Sequence, residues 1–207
     1  MLTAEQEGAQ VKAHNYWSAG SYGPLRLDSV SESRACIEPS RRETRSPTSE
    51  DQPYVIVRKF TLRHENDDEP REVTQLQYSS WPDFGAPAHP RHLLGLVEVT
   101  GRIVDSDKDV RESKRPIMVH CSAGCGRTGT FCTVDSVIDV LKRQRGDADH
   151  HMEEDEEVPA SDVDLVEKAV EDFRQQRLSM VQSLRQFVLC YESVMEWLVD
   201  REKGMVR

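Results

Sequence analysis

A cysteine, an arginine six positions later and small residues between them form the chemically richest stretch of this chain. It reads Pro116-Ile117-Met118-Val119-His120-Cys121-Ser122-Ala123-Gly124-Cys125-Gly126-Arg127-Thr128-Gly129-Thr130-Phe131. A short β-rich run, Ile117 to Val119, leads into the loop, and a helix follows it. Ser122, Ala123, Gly124, Cys125 and Gly126 let the loop curl until successive backbone N–H groups converge on one anion. The N-terminus of the helix adds its positive dipole end at the same spot. Arg127 can grip two phosphate oxygens through its planar fork, with Cys121 beneath as nucleophile. Such surroundings favour thiolate over a thiol that titrates near about 8.5 when free. A thiolate aimed at phosphorus displaces an alkoxide or phenoxide and forms a phosphocysteine. The Thr128 hydroxyl can donate to that sulfur and ease its later departure. His120 reads as a hydrogen-bonding support of the thiolate rather than as a general base.

Two other chemistries share parts of this pattern. Gly124-x-Gly126-x-x-Gly129 fits the dinucleotide fingerprint, which expects a second strand ending in an acidic residue about 20 positions on. Here the helix runs to about Arg145 and meets a charged segment without strand character. Cys121 and Cys125 as metal ligands would need a second pair at ligand spacing, and none follows. The expectation is an enzyme without cofactor or metal.

The run His120 to Phe131 resembles the signature loop of the protein tyrosine phosphatase family, in its Cys-dependent, tyrosine-specific branch, and the insertions resemble those of fungal-type members. Three more blocks carry the resemblance. Trp81-Pro82-Asp83-Phe84-Gly85-Ala86-Pro87 is similar to the mobile loop that closes over substrate. That similarity implies Asp83 as general acid, with Trp81 and Pro87 as hinge anchors. Arg177 to Phe187 is similar to the glutamine loop, which implies Gln182 as the main positioner of the hydrolytic water and Gln186 as its neighbour at the phosphate. Met1 to Trp17 resembles the segment bearing a Glu and a Lys, which implies that Glu7 holds the Arg127 fork and Lys12 sits beside the closing Asp83 loop. Without the resemblance, Asp83 is a turn residue between Pro and Gly, and the two glutamines are a solvated helix start.

The resemblance implies an α/β (α+β) fold, a twisted mixed β-sheet flanked by helices, in one partial catalytic domain over residues 1–207. The match begins in mid-domain. The family's N-terminal helices, first strands and phosphotyrosine-recognition loop have no counterpart, so an N-terminally incomplete domain is expected. The implied function is hydrolysis of phosphotyrosine in proteins. A dual-specificity phosphatase and an inactive truncated phosphate-binding or scaffold fragment are the alternatives.

The elements that must position these residues are legible to different degrees. Tyr54 to Arg63 and Glu72 to Ser79 alternate apolar and polar residues about a charged turn, an antiparallel pair. A short strand is expected near Leu25 to Val30, then a disordered insertion over 31–52 containing Arg41-Arg42 and Ser46-Pro47, candidate kinase sites. Helices are expected from His92 to about Ile103, from Thr128 to Arg143, and to about Gln176 from an N-cap at Ser161-x-x-Asp164. A second disordered insertion, 146–160, is rich in carboxylates around His150 and His151, a weak candidate for a divalent ion. A final amphipathic helix carries Phe187, Tyr191, Val194, Met195 and Leu198 as its apolar stripe.

The net charge of −10 over 207 residues argues against nucleic-acid binding. No apolar run of about 18 residues marks a membrane segment. Five cysteines without scaffold spacing point to a reducing compartment, hence a cytoplasmic protein acting in signalling on phosphotyrosine-containing proteins. Cys132 and Cys190 read as core residues, and Cys125 as loop packing or a resolving thiol.

Overall fold

β-Branched and aromatic residues alternate with polar ones along β5 (Tyr54–His64), and this strand organises the sheet. The computed structural model describes residues 1–38, 53–106, 116–146 and 163–204. Within them β5 pairs antiparallel with β4 (Leu25–Cys36) on one side and β6 (Arg71–Gln77) on the other. A short β3 (Gly20–Tyr22) extends the sheet beyond β4, giving the order β3-β4-β5-β6. β1 (Gln6–Glu7) and β2 (Gln10–Val11) form a separate hairpin. The helices are α1 (Pro90–Ser106), α2 (Gly126–Gln144), α3 (Leu165–Gln176) and α4 (Leu184–Glu202).

The α/β class is as expected, but every ladder among the described residues is antiparallel rather than mixed. The run Ile117 to Val119 joins no ladder. Its neighbour His120 accepts one backbone bond, from the Leu2 N–H at 2.8 Å. Met1 meanwhile bonds the end of β6, donating to the Leu76 carbonyl and accepting from the Tyr78 N–H. Residues 1–3 therefore bridge β6 and the start of the cysteine loop.

The insertion expected over 31–52 must be shortened, because residues 31–36 belong to β4. That strand pairs with β5 from Leu25 opposite His64 to Cys36 opposite Tyr54, through an irregularity between Ser29 and Ser31. Only Leu27 of β4 is buried, so the strand has no apolar alternation to read; it forms because β5 offers a ladder. Residues 39–52 and 147–162, with the candidate kinase sites, His150, His151 and Ser161, lie outside the described residues. Helix α3 starts at Asp164, whose carboxylate accepts from the N–H groups of Val166 and Glu167, so Asp164 is itself the N-cap.

Val55 and Val57 face the main core, whereas Phe60 and Leu62, of opposite parity, face a smaller cluster with Met1, Trp17 and Leu27. In the main core, α2 packs against α1, α3 and α4. Four of the five residues of the stripe expected on α4 lie in or against the main core, with Met195 the exception. Buried are Gln186, Leu189, Cys190, Ser193, Val194, Trp197 and Asp200, while Met195 is exposed and Phe187, Tyr191 and Leu198 are half-buried. Three polar residues lie on the buried face and broke the hydrophobic count. One of them, Asp200, ion-pairs with Arg91 of α1 at 3.0 Å.

Gly95 shows how tightly α1 meets the segment that follows β4. A Cβ there would lie 1.6 Å from the Ile37 carbonyl oxygen. Alanine in a helix interior is favoured over glycine by roughly 1 kcal/mol, but a backbone oxygen cannot step aside as a side chain can. Gly95→Ala is therefore expected to destabilise by about 1–3 kcal/mol, the usual cost of overpacking. Chemical denaturation would show it as a lowered midpoint, and an unchanged or raised midpoint would refute the close approach.

Candidate active site

Gly124 turns the loop at φ +70°, which swings the N–H groups of Gly124 and Cys125 onto the Cys121 sulfur. The Thr128 hydroxyl donates to the same sulfur at 3.3 Å, and the Thr128 N–H adds a further bond. Burial pushes the Cys121 thiol up, but these four donors outweigh it and hold the group below the ordinary thiol value. Cys132 and Cys190 are the contrast: burial pushes them to about 11 and about 12, as for inert core thiols. The Cys125 sulfur contacts the Ala123 carbonyl at 3.4 Å and Ser122 is exposed, so the rim of the loop is backbone.

Arg127 occupies the first turn of α2 and is 1% exposed. Its Nη1 donates to Glu7 Oε1 at 2.5 Å and to the Trp81 carbonyl at 2.8 Å. The other edge, Nε and Nη2, is buried with no hydrogen-bond partner among the described residues. Asp83 Oδ1 lies 3.3 Å from Nη2, an ion-pair contact without hydrogen-bond alignment. Two parallel donors without a hydrogen-bond partner form an edge that can bind an oxyanion bidentately.

The Asp83 loop lies over this arginine. Trp81, fully buried, donates its indole N–H to the Gly85 carbonyl at 3.0 Å, and Gly85 N–H bonds Pro82, so residues 81–85 form a closed turn anchored beside buried Pro87. Asp83 Oδ2 accepts from Lys12 Nζ at 2.7 Å, and its N–H donates to Glu7 Oε2 at 3.2 Å. Burial pushes the Asp83 carboxyl up, yet Lys12, Arg127 and the Phe84 N–H together hold it below the usual carboxylate value. Glu7 shows the same balance, its burial outweighed by Arg127, the Asp83 N–H and Thr3. Two carboxylates and two cations therefore alternate from Glu7 through Arg127 and Asp83 to Lys12.

Gln182 and Gln186 approach the loop from the start of α4. A Cβ on Gly126 would lie 2.8 Å from Gln186 Oε1 and 3.0 Å from Gln182 Oε1, so the glycine is what admits both amides. Gln186 also has a second, structural task. Its Oε1 accepts from the N–H groups of Gln182 and Ser183, closing a capping box with Ser183.

The candidate site residues from Glu7 to Gln186 thus lie around one loop, whereas Cys132 and Cys190 lie in or against the core and His150 and His151 fall outside the described residues; three further side chains at the loop were not singled out from the sequence. Tyr16 donates its hydroxyl to His120 Nε2 at 2.5 Å and accepts from Gln75 Nε2 at 2.9 Å. His120 Nδ1 bonds the Cys121 carbonyl at 3.0 Å, so the ring has a fixed tautomer; burial holds its pKa below the ordinary imidazole value. Arg177 donates to the Ala123 carbonyl at 2.9 Å and braces the loop from outside. Ser183 reaches the Asp83 loop. Tyr16 and Arg177 lay in matched blocks but carry no spacing signal; for Ser183 the available signal is the capping-box spacing Ser183-x-x-Gln186.

Residues 1–196 match the family model for protein-tyrosine phosphatase. Tyrosine-protein phosphatase 3 of Saccharomyces cerevisiae is 34% identical over 149 residues, 68% of this chain and 15% of that protein. Tyrosine-protein phosphatase non-receptor type 18 of Homo sapiens is 40% identical over 134 residues, 65% of this chain and 25% of that protein. A solved structure of PTPN18 in complex with HER2 phosphopeptides superposes with a TM-score of 0.68 at 28% identity, covering 95% of this chain and 61% of that one. The chain thus spans less than two thirds of each of these relatives.

Proposed function

Since the chain belongs to the protein-tyrosine phosphatase family, we propose that it hydrolyses phosphotyrosine in proteins through a phosphocysteine intermediate. The observation that carries this reading is the pairing of a sulfur held by four donors with the Nε–Nη2 edge of a buried arginine that lacks a hydrogen-bond partner among the described residues. A phosphoryl group gripped by that edge and by the loop N–H groups of residues 122–127 presents phosphorus to Cys121. The thiolate forms the S–P bond as the bond from phosphorus to the phenolic oxygen breaks, and Asp83 delivers its proton to that oxygen. Water then attacks phosphorus, oriented by Gln182 with Gln186 at the loop. Asp83 takes the water's proton, the S–P bond breaks, Thr128 stabilises the departing thiolate, and inorganic phosphate leaves.

Charge explains how an Asp held as carboxylate serves as an acid. Glu7, Arg127, Asp83 and Lys12 sum to zero, and the thiolate makes the site negative. A bound phosphoryl group adds further negative charge beside Asp83 and occupies the arginine edge that faces it. Both effects raise its proton affinity, so proton uptake accompanies substrate binding. Glu7 and Tyr16 act through other residues, the first on the Arg127 fork and the second on His120.

Phosphotyrosine proteins as substrates are supported by the relative solved with HER2 phosphopeptides. All five cysteines are free, which suits a reducing, cytoplasmic setting and a signalling role. No helix among the described residues is long and apolar enough to cross a membrane. The test is phosphate release by residues 1–207 from a phosphotyrosine peptide, with chelator present, beside phosphoserine and phosphothreonine peptides. Selective release from phosphotyrosine is expected. Equal release from all three would move the assignment to dual specificity. A folded chain that binds phosphotyrosine peptide without turning it over would be a phosphate-binding module.

A further inference from the structure

We propose that Ser183 is the latch of the acid loop, a positioning residue that holds Asp83 over the phosphate loop. Its hydroxyl accepts the Gln186 N–H at 3.2 Å as N-cap of α4 and spends its one proton on the Phe84 carbonyl, 2.9 Å away. Phe84 needs holding. It sits at φ +55° with a side chain 60% exposed, a left-handed conformation that a bulky residue keeps only when its surroundings impose it. The side chain makes little buried contact, so its backbone carbonyl is the point where the surroundings act. The other ties of the loop, from Glu7, Lys12 and Arg127, all end on Asp83 or Trp81.

The latch also joins the two chemical steps. Ser183 follows Gln182 directly, and both their N–H groups bond the Gln186 side chain. The residue that retains the acid loop is thus built into the turn that aims the water-directing amide. A closed loop and a placed Gln182 form one hydrogen-bonded unit, which keeps Asp83 in reach for its second task of taking the water's proton.

This proposal rests on the phosphatase reading, and its test separates the two. Glycine is the substitute that costs an N-cap least, and Ser183→Thr keeps both the acceptor and the donor. In hydrogen–deuterium exchange of the full chain, Ser183→Gly should speed exchange across residues 81–87 roughly three- to tenfold, the shift one neutral hydrogen bond supports. Ser183→Thr should match wild type. In turnover, Ser183→Gly should slow phenyl phosphate by a similar factor, slow 4-nitrophenyl phosphate less, and add nothing in an Asp83→Asn background. Unchanged exchange at 81–87, with faster exchange confined to 184–188, would reduce Ser183 to a helix cap and overturn the latch. So would an equal Ser183→Gly loss with and without Asp83. Altered exchange at 81–87 in a chain that hydrolyses neither phosphate would keep the latch and remove the phosphatase reading.

Discussion

Cys121→Ser is expected to lower phosphate release by a factor on the order of 10⁴ or more while leaving phosphotyrosine-peptide binding intact. The asymmetry follows from how the site is divided. Binding draws on the Nε–Nη2 edge of Arg127 and on the loop N–H groups, none of which the substitution removes. Bond formation draws on a sulfur that four donors hold toward thiolate. A serine hydroxyl in the same place stays protonated near neutrality, because no free general base stands beside it among the described residues; His120 is committed to Tyr16 and to the Cys121 carbonyl. Calorimetric titration with peptide and a phosphate-release assay would measure the two halves separately. Residual turnover within tenfold of wild type would show that phosphorus is attacked by something other than Cys121. Lost binding with an unfolded variant would instead be read from circular dichroism, and Cys121→Ala then repeats the comparison.

Asp83→Asn is expected to slow turnover of poor leaving groups by roughly 10²–10⁴-fold and to reshape the pH profile. Wild-type turnover needs Cys121 ionised and Asp83 protonated. As pH rises through the lowered Cys121 value the thiolate fraction grows, giving an ascending limb; as pH rises through the Asp83 value the acid form is lost, giving a descending limb. The descending limb belongs to the substrate complex, where the bound phosphoryl group raises the proton affinity of an Asp83 that is held below its ordinary value in the free chain. Asparagine keeps the shape of the loop but carries no proton to give, so the descending limb should vanish while the ascending limb remains. The loss should shrink as the leaving group improves from phenol to 4-nitrophenol. A descending limb that survives in Asp83→Asn would assign it to another group, with Glu7 next in line by position.

The match between sequence and structure is uneven for a physical reason visible in single elements. The cysteine loop was legible because its donors are backbone groups of adjacent residues, so spacing alone nearly determines where they point. β5 and β6 were legible through their alternation. β4 beyond Val30 was not, since its stability comes from the β5 ladder and its own side chains face solvent. On α4 the polar residues Gln186, Ser193 and Asp200 occupy buried positions, and an apolar count shifts the stripe toward Met195. Asp83 and Glu7 stood out only through the family resemblance; by themselves they are ordinary carboxylates in turns.

By itself, then, the sequence pointed to Cys121 as the candidate nucleophile and to its anion cradle, both properties of contiguous residues, and to the family through four separate blocks. Tertiary structure decided what surrounds them. It brought Glu7 to Arg127 across 120 positions, joined Tyr16 to His120 across 104, and set Ser183 against Phe84 across 99. A hydrogen bond between residues so far apart has no local spacing to betray it. It exists only because the hairpin bearing Glu7, the Asp83 loop and the start of α4 pack against the loop that leads into one buried arginine.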